Sequence, residues 1–233
     1  MFGRRTLIPL ALVLLAVGCS DERNPTAVQK APAPAPHVLR WAGSVPPRFT
    51  AGLRPSSGSG QGDLQAFLSD GLSLDQNYVT FWAVRGQQRS VQINYLSSTG
   101  DTSAPFLRLT ITDPAYVPGV GDLAPGDSVL MTVTIDPNTI KVSLEPTGTQ
   151  FGDPAQMQIF YGGAGGDLNG DGVVDSTDAA IETKLLGMWY REGADSAWAQ
   201  IPAMQSLGDK SFITALQHFS DYEVSFTEYA VSW

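Results

Sequence analysis

From Asn77 onward apolar residues recur at every second position, and that single pattern restricts what the chain can fold into. Tyr78-Val79-Thr80-Phe81-Trp82-Ala83-Val84 is β-branched and aromatic, and Ser90-Val91-Gln92-Ile93-Asn94-Tyr95-Leu96 alternates apolar with polar. Phe106–Ile111, Val129–Ile135, Ile140–Leu144 and Met157–Tyr161 follow in the same style. A period of two places one face of each segment inward, as in a half-buried strand, whereas a helix repeats every 3.6 residues. Turn chemistry separates the segments: Asp113-Pro114, Pro125-Gly126-Asp127 and Asp136-Pro137-Asn138. Short strands at this spacing predict an all-β fold, an antiparallel β-sandwich.

Composition narrows the function. Asp and Glu outnumber Lys and Arg 23 to 14, for a formal charge of −9. A nucleic-acid protein would need a basic face, so that class is excluded. One Cys rules out a disulfide scaffold, and two His leave little for a His-rich metal site.

The N-terminus reads as an address. Arg4 and Arg5 precede an almost wholly apolar run from Leu7 to Val17, about the length of a signal-peptide core and too short to span a membrane. The run ends Leu15-Ala16-Val17-Gly18-Cys19. This resembles the lipobox of bacterial lipoproteins, which implies removal of residues 1–18 and lipidation of Cys19. The implied location is the bacterial cell envelope, outer membrane or cell surface, after export. Residues 19–62 read as a tether. They include Ala31-Pro32-Ala33-Pro34-Ala35-Pro36, which favours an extended spacer, and the flexible patch Ser56–Gly62. His37 is expected to be solvated. Residues 63–233 are then the β domain.

Two stretches of that domain carry a resemblance. Glu145-Pro146-Thr147-Gly148-Thr149-Gln150-Phe151-Gly152-Asp153-Pro154-Ala155-Gln156-Met157-Gln158-Ile159 resembles the P-x-G-x-x-F-x-x-P signature of ZU5 domains. Trp198-Ala199-Gln200-Ile201-Pro202, followed by His218-Phe219-Ser220-Asp221-Tyr222, is similar to the same family's ending. Ser225–Val231 looks like a second, degraded copy of that ending. The two motifs cover roughly the last 90 residues, and the resemblance implies that residues 63–233 form a ZU5-like β-sandwich.

The strongest chemical signal is Asp167-Leu168-Asn169-Gly170-Asp171-Gly172-Val173-Val174-Asp175-Ser176-Thr177-Asp178. Oxygen side chains occupy positions 1, 3, 5, 9 and 12, with Gly172 at the turn and the Val173 carbonyl at position seven. Hard oxygens in this order point to Ca²⁺, and four carboxylates so close together repel without a cation. The expected ligands are Asp167, Asn169, Asp171, Val173, Asp175 and Asp178. Gly162-Gly163-Ala164-Gly165-Gly166 precedes the loop, so no helix leads into it. The exit can be helical, with Ile181 and Leu185 on one face and Gly187 as a stop. Loop and exit helix, over 162–187, resemble half a dockerin. Dockerins carry two such loops and this chain has one, which argues against a cohesin partner. A single loop with the short Asp178 at position twelve implies affinity in the ~10⁻⁴–10⁻³ M range of extracellular modules.

Two further features admit more than one reading. In some ZU5-containing proteins the triplet His218-Phe219-Ser220 is a self-cleavage site. There the Ser220 hydroxyl would attack the Phe219 carbonyl with His218 as base, a single-turnover event favoured by backbone strain. The competing reading is a plain strand end with Phe219 in the core. Trp82, Trp189, Tyr190, Trp198 and Trp233 could form a carbohydrate-binding face, although in alternating strands core packing is the commoner role. No G-x-S-x-G, H-E-x-x-H or P-loop occurs. The sequence therefore predicts a lipid-anchored calcium-binding module, not an enzyme acting on outside substrates, with a membrane on one side and a protein or polysaccharide partner on the other.

Overall fold

The computed structural model describes residues 35–43, 46–55, 77–96 and 103–227, so Cys19, the signal segment and Trp233 lie outside the described residues. The alternating segments become strands that pair antiparallel throughout, in two sheets. In the first sheet the order is β12 (Ala199–Ile201), β11 (Leu186–Arg191), β15 (Asp221–Phe226), β9 (Lys141–Glu145), β8 (Ser128–Ile135) and β3 (Tyr78–Val84). The short strand β1 (His37–Val38) continues the β9 side of β15, pairing with Phe226 and Ser225. In the second sheet the order is β13 (Met204–Ser206), β14 (Ser211–His218), β10 (Gln150–Phe160), β5 (Ser103–Ile111), β4 (Arg89–Leu96) and β2 (Arg48–Pro55). Two short strands, β6 (Pro114–Val117) and β7 (Gly121–Asp122), attach to the start of β10. This is the all-β, sandwich-like architecture that the period of two predicts.

The core follows directly from the alternation. Val79, Phe81 and Ala83 of β3, Met131, Val133 and Ile135 of β8, and Val142 and Leu144 of β9 point inward from the first sheet. Leu107, Leu109 and Ile111 of β5, with Met157 and Ile159 of β10, belong to the same core cluster from the second. Burying a side chain of this size contributes about 1.5–3 kcal/mol. The expected turn after Ile135 forms by side-chain capture: Asp136 Oδ1 accepts from the Asn138 and Thr139 amides at 2.8 and 3.2 Å.

Residues 37–55, read as part of the tether, contribute β1 and β2 to the sheets. Leu39 and Trp41 are buried in the core, and β2 pairs with β4 in unbroken register from Arg48↔Leu96 to Pro55↔Arg89. Interior Gly52 and the flanking prolines weaken this strand locally, and eight residues of ladder with β4 override that weakness.

The path of the chain between sheets positions both candidate sites. β10 ends in the second sheet and β11 begins in the first, so the Asp167–Asp178 loop lies within a long crossover. β14 and β15 also lie in different sheets and are joined only by Phe219 and Ser220.

Candidate functional site

The Asp167–Asp178 loop organises itself through its own carboxylates. Asp167 Oδ1 accepts from the Gly170 and Asp171 amides at 2.8 and 3.1 Å, and its Oδ2 from the Gly172 amide at 2.9 Å. Asn169 Oδ1 accepts from the Asp171 amide at 3.0 Å, and Asp171 Oδ1 from Val173 at 2.8 Å. These captures wind the chain back on itself, with Gly170 and Gly172 at φ 76° and 87° as the tight winding requires. Asn169 Nδ2 also donates to Asp171 Oδ2 at 2.9 Å, so positions three and five are already in contact.

The end of the loop closes back on its beginning. Asp178 Oδ1 accepts from the Leu168 and Asn169 amides at 2.7 and 3.2 Å, and its Oδ2 from the Asp175 amide at 2.9 Å. Asp175 in turn accepts from the Thr177 amide at 2.7 Å, completing a capping box on the helix α1 (Ser176–Ala180). The Asp175 amide, with those of Leu168 and Asn169, holds the buried Asp178 carboxyl below the usual carboxylate range, outweighing burial itself. Two core side chains, Leu168 at the start and Ile181 after α1, fix both ends of the loop. Between them Asn169, Asp171 and Asp175 are exposed to solvent.

Among the described residues no three His, Cys, Asp or Glu side chains converge closely enough to hold a metal ion as they stand. The donor chemistry nonetheless suits a hard cation. A carboxylate offers about four lone-pair sites, and Asp167 and Asp178 each spend three on amides. Val174, an apolar residue at position eight of the loop, is 70% exposed and lies against Gly166. The exit helix is shorter than its apolar spacing implies. After α1 the chain widens into a π-type turn, Ile181–Leu185, and β11 starts at Leu186, so Gly187 is a strand residue and not a helix stop.

A contact invisible in the sequence ties this loop to the N-terminal strand. The Trp41 ring covers Gly163, where an added Cβ would lie 2.4 Å from Cζ3, and the Ala42 amide donates to the Gly163 carbonyl at 2.9 Å. The Gly-rich stretch before the loop is therefore a seat for Trp41. Gln205 Nε2 bonds both the Tyr161 hydroxyl, at 3.0 Å, and the Glu182 carbonyl, at 2.8 Å, beneath the π-type turn. Burial there pushes the Tyr161 hydroxyl up to about 12.

The second candidate lies at the β14–β15 corner. Phe219 is wholly buried with its ring edge-on to Phe151 at 5.1 Å, and Ser220 is buried beside it. The Phe219 carbonyl accepts from the Gly148 amide at 2.9 Å, the Phe219 amide donates to the Thr149 carbonyl at 2.9 Å, and the Leu144 amide donates to the Ser220 carbonyl at 3.0 Å. The corner is thus laced to the neighbouring crossover between β9 and β10. The two stretches that carry the ZU5 resemblance meet here, with Gln150 paired to His218. His218 Nδ1 lies 3.5 Å from Ser220 Oγ, and its Nε2 lies 3.5 Å from Glu192 Oε1. Glu192 has no local sequence signal, because the β11–β12 connection delivers it. All three side chains line a cleft of about 620 Å³. Neither Phe219 nor Ser220 has a positive φ or a cis bond, so the strain that would drive cleavage has no counterpart in the backbone.

The remaining aromatics divide. Trp189 Nε1 donates to the Ser225 carbonyl at 3.2 Å, Tyr190 packs on Tyr222 and His218, and the Arg191 guanidinium covers Trp198. Trp82 instead stands 59% exposed. Comparison with protein-family models, characterised proteins and solved structures finds no match. Fold and site together define an all-β, sandwich-like domain carrying an Asp-rich crossover loop. Among its described residues no helix is long and apolar enough to cross a membrane.

Proposed function

We propose that this chain is an extracytoplasmic lipoprotein of the bacterial cell envelope, lipid-anchored at Cys19, whose ZU5-like domain acts as a calcium-dependent binding or structural module. The observation that carries this reading is the loop itself: Asp167, Asn169, Asp171 and Asp178 each fold it by accepting from its amides, while Leu168 and Ile181 root it in the core. Ca²⁺ would be held by Asp167, Asn169, Asp171, the Val173 carbonyl, Asp175 and Asp178, and would supply charge neutralisation, not catalysis. The loop spans a crossover between sheets, so neutralising it stabilises the link between them. Calorimetric titration of the full chain with CaCl₂ should show one site of ~10⁻⁴–10⁻³ M, lost in Asp171→Ala. Metabolic labelling with a radioactive fatty acid should mark the wild-type chain and not Cys19→Ser.

A second reading has one observation in its favour, the approach of His218 Nδ1 to Ser220 Oγ beside an amide-bonded Phe219 carbonyl. In it Ser220 Oγ attacks the Phe219 carbonyl carbon, the Phe219–Ser220 C–N bond breaks, and the resulting ester is hydrolysed by water. Denaturing mass spectrometry separates the readings: one intact mass favours the binding module, and a fragment beginning at Ser220, abolished by Ser220→Ala, favours self-processing.

A further inference from the structure

The alternation that fills the core leaves an unusual surface on the other side of β3 and β8. Tyr78 is 43% and Trp82 59% exposed on β3, and Leu130 is 46% exposed on β8. Cross-strand register sets Trp82 opposite Leu130, Thr80 opposite Thr132 and Tyr78 opposite Thr134. Four residues of strand separate the two aromatic rings by about 14 Å, with threonine hydroxyls between and beside them. Those hydroxyls have no hydrogen-bond partner among the described residues, whereas the outer face of the second sheet satisfies itself. There Arg108 bonds Gln92 at 3.1 Å and Gln158 at 3.4 Å, and Gln158 bonds Ser211 at 3.0 Å.

Charge and area indicate what this face takes. Neither YVTFWAV (β3) nor SVLMTVTI (β8) contains a charged residue, in a chain of net charge −9. An anionic polymer would be repelled by the net charge and by Glu145, which β9 sets beside Thr132, and would meet no cation on β3 or β8. A second protein copy would need about 800 Å² from each partner. Three partly exposed apolar side chains supply on the order of 300 Å². Flat rings alternating with unpaired hydroxyls fit a neutral, ring-built, polyhydroxylated chain, whose C–H faces stack on aromatics while its hydroxyls exchange hydrogen bonds.

We propose that the outer face of β3 and β8 binds a neutral polysaccharide, with Trp82 and Tyr78 as stacking platforms and Thr80, Thr132 and Thr134 as hydrogen-bonding partners. This site is independent of the calcium loop. Affinity electrophoresis of the full chain through native gels containing hydroxyethylcellulose, xylan, galactomannan or dextran tests it, with carboxymethylcellulose as the charged comparator. Retardation by at least one neutral polymer and not by the charged one is expected. Trp82→Ala should weaken it about tenfold or more, Tyr78→Ala less, and Met204→Ala, an exposed residue of β13, not at all. Trp82 and Tyr78 are exposed, so their truncation leaves the core intact, and a circular dichroism spectrum equal to wild type verifies this for each variant. Mobility unaffected by every neutral polymer, or retardation undiminished in Trp82→Ala, would overturn the proposal. So would a concentration-dependent dimer in sedimentation that Trp82→Ala dissolves, which would assign the face to a second copy.

Discussion

The chain passes between its sheets at two places that carry chemical signatures, and the two are built oppositely. At the β14–β15 corner the crossing takes two residues, both buried, and main-chain hydrogen bonds with Gly148, Thr149 and Leu144 hold it. Between β10 and β11 the crossing runs through residues 161–185, and side-chain carboxylates within the loop do the holding. A corner held by distant strands is fixed by the fold and gains little from a ligand. A loop held by its own anions concentrates negative charge, and a cation relieves it. The same topological task is thus met by main-chain bonds in one case and by a cluster of carboxylates in the other, which is where the proposed cation would act.

Substitutions in the two crossings can break or sharpen this contrast. The largest effect should come from Phe219→Ala, which empties a fully buried aromatic site against Phe151 and should cost about 3–5 kcal/mol in denaturant unfolding. A much smaller loss would mean that the corner is not built into the core. Gly163→Ala forces a Cβ into the Trp41 ring at the base of the long crossing. Overpacking of this kind should cost about 1–3 kcal/mol, and a neutral result would detach the loop from the N-terminal strand.

Glu223, on β15 between the two crossings, gives a pH test. Burial lifts its carboxyl above the ordinary range, against the Ser225 hydroxyl and the Lys141 and Arg191 charges. The folded state then binds this proton more tightly than the unfolded chain. Its contribution to stability is present at low pH and declines as pH rises from the ordinary carboxylate range through the folded pKa. Glu223→Gln should remove that decline in urea unfolding followed between about pH 4 and 8. Identical pH slopes for variant and wild type would place the carboxylate in a solvated setting. The smallest effect is expected for Ser220→Ala, whose hydroxyl makes one long contact, at 3.5 Å to His218. Stability should change by no more than about 1 kcal/mol, with the chain mass, hydroxyl oxygen apart, the same as wild type.

Much of this was legible in the sequence, for physical reasons that differ by element. β3 coincides with the alternating run Tyr78–Val84, because a half-buried strand writes its period directly into the chain. The turn at Asp136 was legible too, and the winding of the Asp-rich loop depends on the same short-range capture of amides by Asp and Asn side chains. β2 was not, because its support is a ladder to β4 some forty residues away. The first half of β10, with Gly152 and Pro154, lies outside the alternating run Met157–Tyr161 and forms a strand by pairing with β6 and β14 across a register shift. The Trp41–Gly163 seat and the approach of Glu192 to His218 join residues far apart in the chain, which no local pattern encodes. For the aromatic set, strand context makes core packing the commoner role over a carbohydrate-binding face, and for Trp82 the phase of the alternation turns the ring outward.

The most direct test is the melting temperature of the full chain in excess Ca²⁺ and in EDTA, with Asp171→Ala run beside it. Ca²⁺ at about 100 times its dissociation constant should add roughly 2.7 kcal/mol of stability, seen as a higher melting temperature in the wild type and no shift in Asp171→Ala. Equal melting temperatures in Ca²⁺ and EDTA for the wild type would contradict a calcium-responsive crossing and reduce the loop to an acidic turn.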